Sequence, residues 1–256
     1  KSGDAKKELS TLVDNYYEEQ LKLNPVSATA NGDNRYNDQL TITFTDSHLA
    51  KVKALLEKTQ ASLNEINRDD LDANDQITFD MLKRDVELGL EGLTYPDNLM
   101  PLNQFYGFHL TFAQLGSGSV MQPFATKKDY ENWEKRMHIG AASLDSSIVY
   151  FKKGVTANVV LPKALVEKII PQLTSFEVQD IKQSTFYGPL NHFPKDFTEA
   201  DKAKFTKEYT QIIQSEIIPA YTRLAQFLQT EYLPKSRSTS GISAIPNGAA
   251  YYQYLI

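Results

Sequence analysis

The stretch KKDYENWEKRMHIGAASLDSSIVYFKK, Lys127–Lys153, decides the fold. Its apolar residues Tyr130, Trp133, Met137, Ala141, Leu144, Ile148 and Phe151 recur at spacings of three and four. That is the period of a helix with one buried stripe, and a strand, whose side chains alternate every second residue, cannot present it. Gly154 follows where a C-terminal cap belongs.

The same period extends outward in both directions. Upstream, Ala5 to Leu23 carries Leu9, Leu12, Val13, Tyr16, Tyr17 and Leu21 on one stripe, and Pro25 ends that helix. Asp46 or Ser47 is expected to cap a second helix with Leu49, Val52, Leu55, Leu56, Leu63 and Ile66 inward. A third carries Phe79, Leu82, Val86, Leu90 and Leu93. Downstream, Pro162 opens a helix at its first turn, with Leu165, Val166, Ile169, Ile170 and Leu173 inward. Thr198 and Asp201 resemble a capping box. The helix they start contains Pro219, which is expected to kink it, and Pro234, which stops it. Ala249 to Ile256 reads as the opening turns of another helix.

Between these helices, Asn31 to Asp38 is a dense turn signal. Leu40, Ile42 and Phe44 alternate with threonines, which allows at most a short strand near residues 40–45. Thr94 to Pro123 contains Pro96, Pro101, Gly107, Gly116 and Gly118 and reads as a long crossing segment, the kind of loop that often covers a cleft. Lys235 to Asn247 reads as loop. The expectation is therefore an all-α protein: a large array of long antiparallel helices forming a single domain over residues 1–256.

Composition bounds the function. The chain has 256 residues, 41% of them hydrophobic and 23% charged, with a net charge of −5. It lacks the basic excess of a nucleic-acid binder. No apolar run approaches the roughly 18 residues that a membrane-spanning helix needs. Cysteine is absent, which excludes disulfides, zinc ribbons, thiol catalysis and iron–sulfur clusters and fits an exported bacterial protein. The polar start, Lys1 to Lys7, fits either a mature end left by signal removal or an arbitrary boundary.

No catalytic or metal-binding constellation emerges from the residues. The four histidines, His48, His109, His138 and His192, show no four-residue spacing that would place two imidazoles on one helix face. Asp70, Asp72 and Asn74 begin like a calcium loop, but Asp75 stands where glycine is needed and Met81 where a bidentate glutamate is needed. An acidic helix start is the better reading. Gly116-Ser117-Gly118-Ser119 lacks the lysine of a phosphate loop and reads as a turn. Glu18 and Glu19 beside lysines read as a solvated face. The 14 tyrosines could line a substrate groove, but at helical spacing they read as core with a solvated hydroxyl.

Three stretches together resemble a large bacterial family known as domain of unknown function 885. Pro25, Ala28, Thr29 and Gly32 are similar to its P-x-x-A-T-x-x-G turn. Gly154 to Lys163 resembles its G-V-x-x-G-x-V-L-P-R segment, with Asn158 in place of the second glycine and Lys163 in place of arginine. Tyr232-Leu233-Pro234, Gly241, Pro246, Gly248 and Tyr251 resemble its Y-L-P…G…L-P-x-G-x-x-Y stretch.

The resemblance implies more than the residues show. Members are about twice this length, mostly helical, and look like zincin-type metallopeptidases. Their H-E-x-x-H helix lies in the second half, and many members are exported lipoproteins. This chain would then be the non-catalytic N-terminal portion of a zinc-dependent peptide hydrolase. It would form one wall of the cleft and be inactive alone. Its partners would be the C-terminal half of the same protein and a peptide substrate, with zinc held by the full-length parent. The location implied is extracytoplasmic, in the periplasm or lipid-anchored at the envelope. Asn247, Tyr251 and Tyr252 are the candidate substrate-binding residues; catalytic and metal-ligating residues are expected to be absent from this portion. The rival expectations are an extracytoplasmic helical peptide- or solute-binding module and a protein-interaction domain.

Overall fold

The structure, a computed structural model, describes residues 2–256; Lys1, with which the expected mature end begins, lies outside the described residues. The elements in chain order are α1 (Ser2–Leu23), α2 (Pro25–Ala30), α3 (Asp46–Glu65), α4 (Ala73–Gly92), α5 (Phe108–Gly116), α6 (Lys127–Thr156), α7 (Lys163–Thr174), α8 (Glu199–Ile212), α9 (Ile218–Phe227) and α10 (Gly248–Leu255). The protein is all-α. Among the described residues the only β-pairing is two isolated bridges, Leu102 with Gly107 and Pro162 with Arg237. Residues 40–45 form no strand: backbone turns lead from there directly into α3.

The chain, read from sequence as one domain, divides into two compact units. Residues 1–24 and 43–96 form the first, and residues 25–42 and 97–256 the second. In the first unit, α1, α3 and α4 bury Leu9, Leu56, Leu63, Phe79, Leu82 and Val86 in a shared core. Tyr17, read as part of the inward stripe, is half exposed, while Tyr16 packs on the core. α3 is capped by Thr45, one residue before the expected position: its hydroxyl accepts the His48 N–H. Asp72 caps α4 by accepting the Asn74 and Asp75 N–H groups at 3.1 and 3.0 Å. The apparent calcium-loop residue is thus a helix cap.

In the second unit the predicted long helix is central. Thr126 and Asp129 close α6 with a capping box, and Trp133, Met137, Leu144 and Phe151 are fully buried. Against it pack α5, α8 and α9, and α7 packs on α9, with Phe112, Val166, Ile169, Phe205, Tyr209, Ile217 and Leu224 in one core. The crossing segment contains a nine-residue helix, α5, in place of a plain loop. Its sequence FHLTFAQLG is apolar on nearly every side, so it has no stripe to read; burial against α6 and residues 185–191 forms it.

The predicted kink at Pro219 takes a specific form. The π-helical turn Ile213–Ile217 lies between α8 and α9, and a second, Leu228–Tyr232, lies between α9 and Pro234. A proline inside a helix lacks its N–H and pushes its ring against the carbonyl four residues back. Those carbonyls belong to Ser215 and Thr230, and each sits within a π turn, where the wider winding relieves the clash.

Gly154 is not the cap of α6. The helix continues to Thr156, and a Cβ on Gly154 would lie 2.5 Å from the Val159 oxygen and 2.7 Å from the Leu99 oxygen. The cap itself is a Schellman turn. Val159 N–H donates to Gly154 O at 2.8 Å, Asn158 N–H donates to Val155 O at 3.2 Å, and Asn158 is left-handed at φ 59°. Asparagine is one of the few side chains that tolerates that conformation, which accounts for its standing where the family pattern has glycine.

Candidate functional site

The candidate residues lie at the end of a chain path held by backbone hydrogen bonds. Residues 160–163 run beside Arg237. Lys163 N–H donates to Arg237 O at 2.8 Å and Arg237 N–H to Leu161 O at 3.2 Å. The Arg237 guanidinium donates to Val160 O at 2.8 Å and to Gly241 O at 2.6 Å, closing the loop on itself. The Tyr232 hydroxyl accepts the Leu161 N–H at 2.8 Å, and burial raises that phenol to about 12. Two of the three family-like stretches are therefore locked together here, ahead of α10.

At that start, Asn247 is left-handed, φ 58°, and exposed. Its oxygen accepts the Tyr251 N–H at 3.0 Å. Gly248 is required because a Cβ there would collide with the Ile242 carbonyl. Tyr251 points inward at 7% exposure and donates its hydroxyl to Asp97 Oδ1 at 2.7 Å. Burial first, and then the Asp97 carboxylate, hold this phenol well above its ordinary range, so it stays a neutral donor. Tyr252 faces outward, 57% exposed. The three sequence candidates thus divide: Asn247 shapes the turn, Tyr251 anchors the helix, and Tyr252 is presented to solvent.

A second exposed feature lies close by. Asn103 Oδ1 accepts the N–H groups of Phe105 and Tyr106 at 2.8 and 3.0 Å, and Asn103 N–H donates to Tyr106 O at 3.1 Å. This tight turn holds Phe105 and Tyr106 outward, 80% and 73% exposed, with Tyr106 near enough to Tyr251 to influence its ionisation. The sequence reading missed Phe105, Tyr106 and Asp97. Asn103-x-x-Tyr106 is an Asx-turn pattern that could have been read locally. Asp97 lies 154 residues from Tyr251 and carries no such signal.

Beneath the first family-like stretch, Arg136 of α6 is fully buried. It donates to the Pro25, Tyr36 and Gln39 carbonyls at 3.2, 3.0 and 2.8 Å, to Thr29 Oγ1 at 2.8 Å, and to Gln122 Oε1. Burial lowers the guanidinium to about 10, with Asp38 opposing that shift. The family-like turn is thus an acceptor cradle for one arginine.

The histidines remain dispersed. His109 is buried, its Nε2 2.9 Å from Gln172 Oε1, and burial lowers its pKa. Gln172 donates to the Gln104 carbonyl through its amide nitrogen, so its oxygen is the acceptor and His109 carries its proton on Nε2. His138 Nδ1 lies 2.8 Å from Glu216 Oε2. Among the described residues no three histidine, aspartate or glutamate side chains converge to hold a metal ion. The donors of this chain therefore do not fit a zinc ion by themselves, and no chemical step is assigned to one. No described helix is long and apolar enough to cross a membrane.

The fold has a solved relative. The crystal structure of "the putative lipoprotein from Colwellia psychrerythraea" superposes with a TM-score of 0.80 at 19% identity, covering 97% of this chain and 45% of that one. The chain thus spans less than half the length of that structure. At this identity the likeness shows the fold alone. No curated protein sequence matches the chain. The family profile described as "Bacterial protein of unknown function (DUF885)" matches residues 25–256. That span holds all three family-like stretches and nearly all of the second unit's core, and the chain belongs to the DUF885 family of bacterial proteins.

Proposed function

We propose that this chain is the non-catalytic N-terminal helical wall of a zinc-dependent peptide hydrolase, with the zinc-binding H-E-x-x-H helix supplied by a further segment of the same protein. The observation that carries this reading is the α10 assembly. An exposed Tyr252 stands on a helix whose start is fixed by Asn247 and Gly248 and whose inner face is pinned by Tyr251 to Asp97. Such a rigid aromatic edge suits contact with an extended peptide, since a phenol ring offers both an apolar face and a hydroxyl. Membership in the family supports the reading, as does a fold relative of more than twice the length. Because that relative is described as a lipoprotein, we place the parent outside the cytoplasm, in the periplasm or lipid-anchored at the envelope.

In this scheme the chain positions substrate and the other half performs chemistry. Tyr251 is already committed to Asp97, so Tyr252 is the contact residue and Asn247 fixes its register. The test is to read the gene beyond codon 256 and express the full reading frame. Zinc-dependent peptide hydrolysis is expected for the full protein and none for residues 1–256 alone. A full reading frame without a zinc motif, or hydrolysis by this chain alone, would overturn the proposal. A second reading, a peptide- or solute-binding module, draws on the outward Phe105 and Tyr106. It predicts ligand binding by this chain by calorimetry in the presence of a chelator.

A further inference from the structure

The second π turn, Leu228–Tyr232, runs straight into a 3-10 turn, Leu233–Lys235. On the α-helices of the first unit, opposite charges four residues apart meet: Lys53 pairs with Glu57 at 3.8 Å and Lys83 with Glu87 at 4.0 Å. Glu231 and Lys235 have the same spacing and opposite charge but form no ion pair. The backbone between them winds first wider and then tighter than an α-helix, which breaks the register that brings such residues together. Both side chains stay exposed beside the C-terminal end of α6.

Here a pocket of about 200 Å³ opens, lined by Lys152, Val155, Thr156, Phe227, Glu231 and Lys235. Buried Phe227 and partly buried Val155 give it an apolar floor. The Lys152 ammonium lies 5.7 Å from the centre of the Phe227 ring, a cation–π contact. Among the described residues, Lys152, Glu231 and Lys235 form no ion pair with one another or with any other group. The Thr156 hydroxyl donates to the Lys152 carbonyl at 3.2 Å, so its oxygen keeps its acceptor capacity. Thr156 is also the last residue of α6, where the helix dipole presents its negative end.

We propose that this pocket binds a free α-amino acid with an apolar side chain. Its carboxylate meets the ammonium groups of Lys152 and Lys235. Its ammonium meets the Glu231 carboxylate, the Thr156 oxygen and the negative end of α6. Its side chain rests on Phe227 and Val155. A plain anion is opposed by Glu231 and a plain cation by the two lysines, so a molecule carrying both charges on neighbouring atoms suits the lining best. The volume lies below the roughly 300–1,000 Å³ of sites for drug-sized ligands, which limits the occupant to about one residue. Because the charged side chains are exposed and screened by water, the affinity is millimolar. The site lies wholly within the second unit and does not depend on the hydrolase reading.

The test is a titration of the isotope-labelled 256-residue chain with L-leucine, followed by amide chemical shifts. Saturable shifts are expected at residues 155–157 and 227–236, around the pocket. N-acetyl-L-leucine lacks the ammonium and L-leucinamide lacks the carboxylate, and each is expected to bind roughly tenfold more weakly. Glu231→Gln, at an exposed position, is expected to weaken leucine by a similar factor and to erase its advantage over N-acetyl-L-leucine. The wild-type comparison of the three ligands stands by itself, whatever the variant does. Absence of saturable shifts at tens of millimolar leucine, shifts centred elsewhere, or equal binding of the three ligands would refute the proposal.

Discussion

Arg136 shows what a single residue can decide. A buried guanidinium is strongly disfavoured unless its donors are met, and here every acceptor found is neutral: three carbonyls, a hydroxyl and an amide oxygen. Arg136→Met would leave that cradle unsatisfied, and we expect a loss of about 3–5 kcal/mol by chemical denaturation. Arg136→Lys should recover little, since a point charge with three donors cannot span a planar set of acceptors. Asn158 gives the opposite case. Its left-handed backbone predicts that Asn158→Gly changes stability by no more than about 0.5 kcal/mol, while Asn158→Val costs about 1–2 kcal/mol. Sequence reading noted Asn158 as a departure and passed over Arg136. A polar residue on a stripe-flanking position looks solvated until its acceptors, about a hundred residues away in sequence, are placed.

At the scale of elements, periodicity was a reliable guide wherever one face is wet. α1, α3, α4, α6, α7 and α8 were all legible as amphipathic stripes; the N-terminal caps of α3 and α8 fell beside and at the expected residues, whereas Gly154 is not the cap of α6. α5 was not legible, because burial on most sides erases the stripe. Its junction with α6 is tight: Gly140 faces the ring of Phe112 with no room for a Cβ, and Gly116 faces Phe186 and Trp133. Gly140→Ala should therefore destabilise by about 1–3 kcal/mol, despite the better helix propensity of alanine. An equal or higher Tm for that variant would show that α5 can shift away. At the candidate site, Tyr251→Phe should cost about 1 kcal/mol through the lost bond to Asp97. Tyr252→Ala should leave stability unchanged and, on the function proposed above, raise KM for peptide in the full protein. The sequence singled out Tyr251 and Tyr252 as candidate contact residues but could not assign them inner and outer faces, because that depends on Asp97, 154 residues away.

At the scale of the whole molecule, the helical class was legible and the division into two units was not. Composition has no break at residues 24, 42 or 96, and no linker rich in glycine or serine marks them. The chain enters the second unit at Pro25, returns to the first at Thr43, and leaves it again after Pro96. No one peptide-bond cut can therefore release either unit. A protease nick near Pro96 would yield fragments of residues 1–96 and 97–256, separable on a denaturing gel. They should still migrate together under native conditions, because residues 25–42 stay seated on Arg136. In the Arg136→Met protein the same nick should let the fragments part on gel filtration. Threading the chain three times between units thus makes Arg136, with Val26 and the Lys135–Asp38 pair beside it, a rivet on residues 25–42, and ties survival of a broken backbone to that small contact.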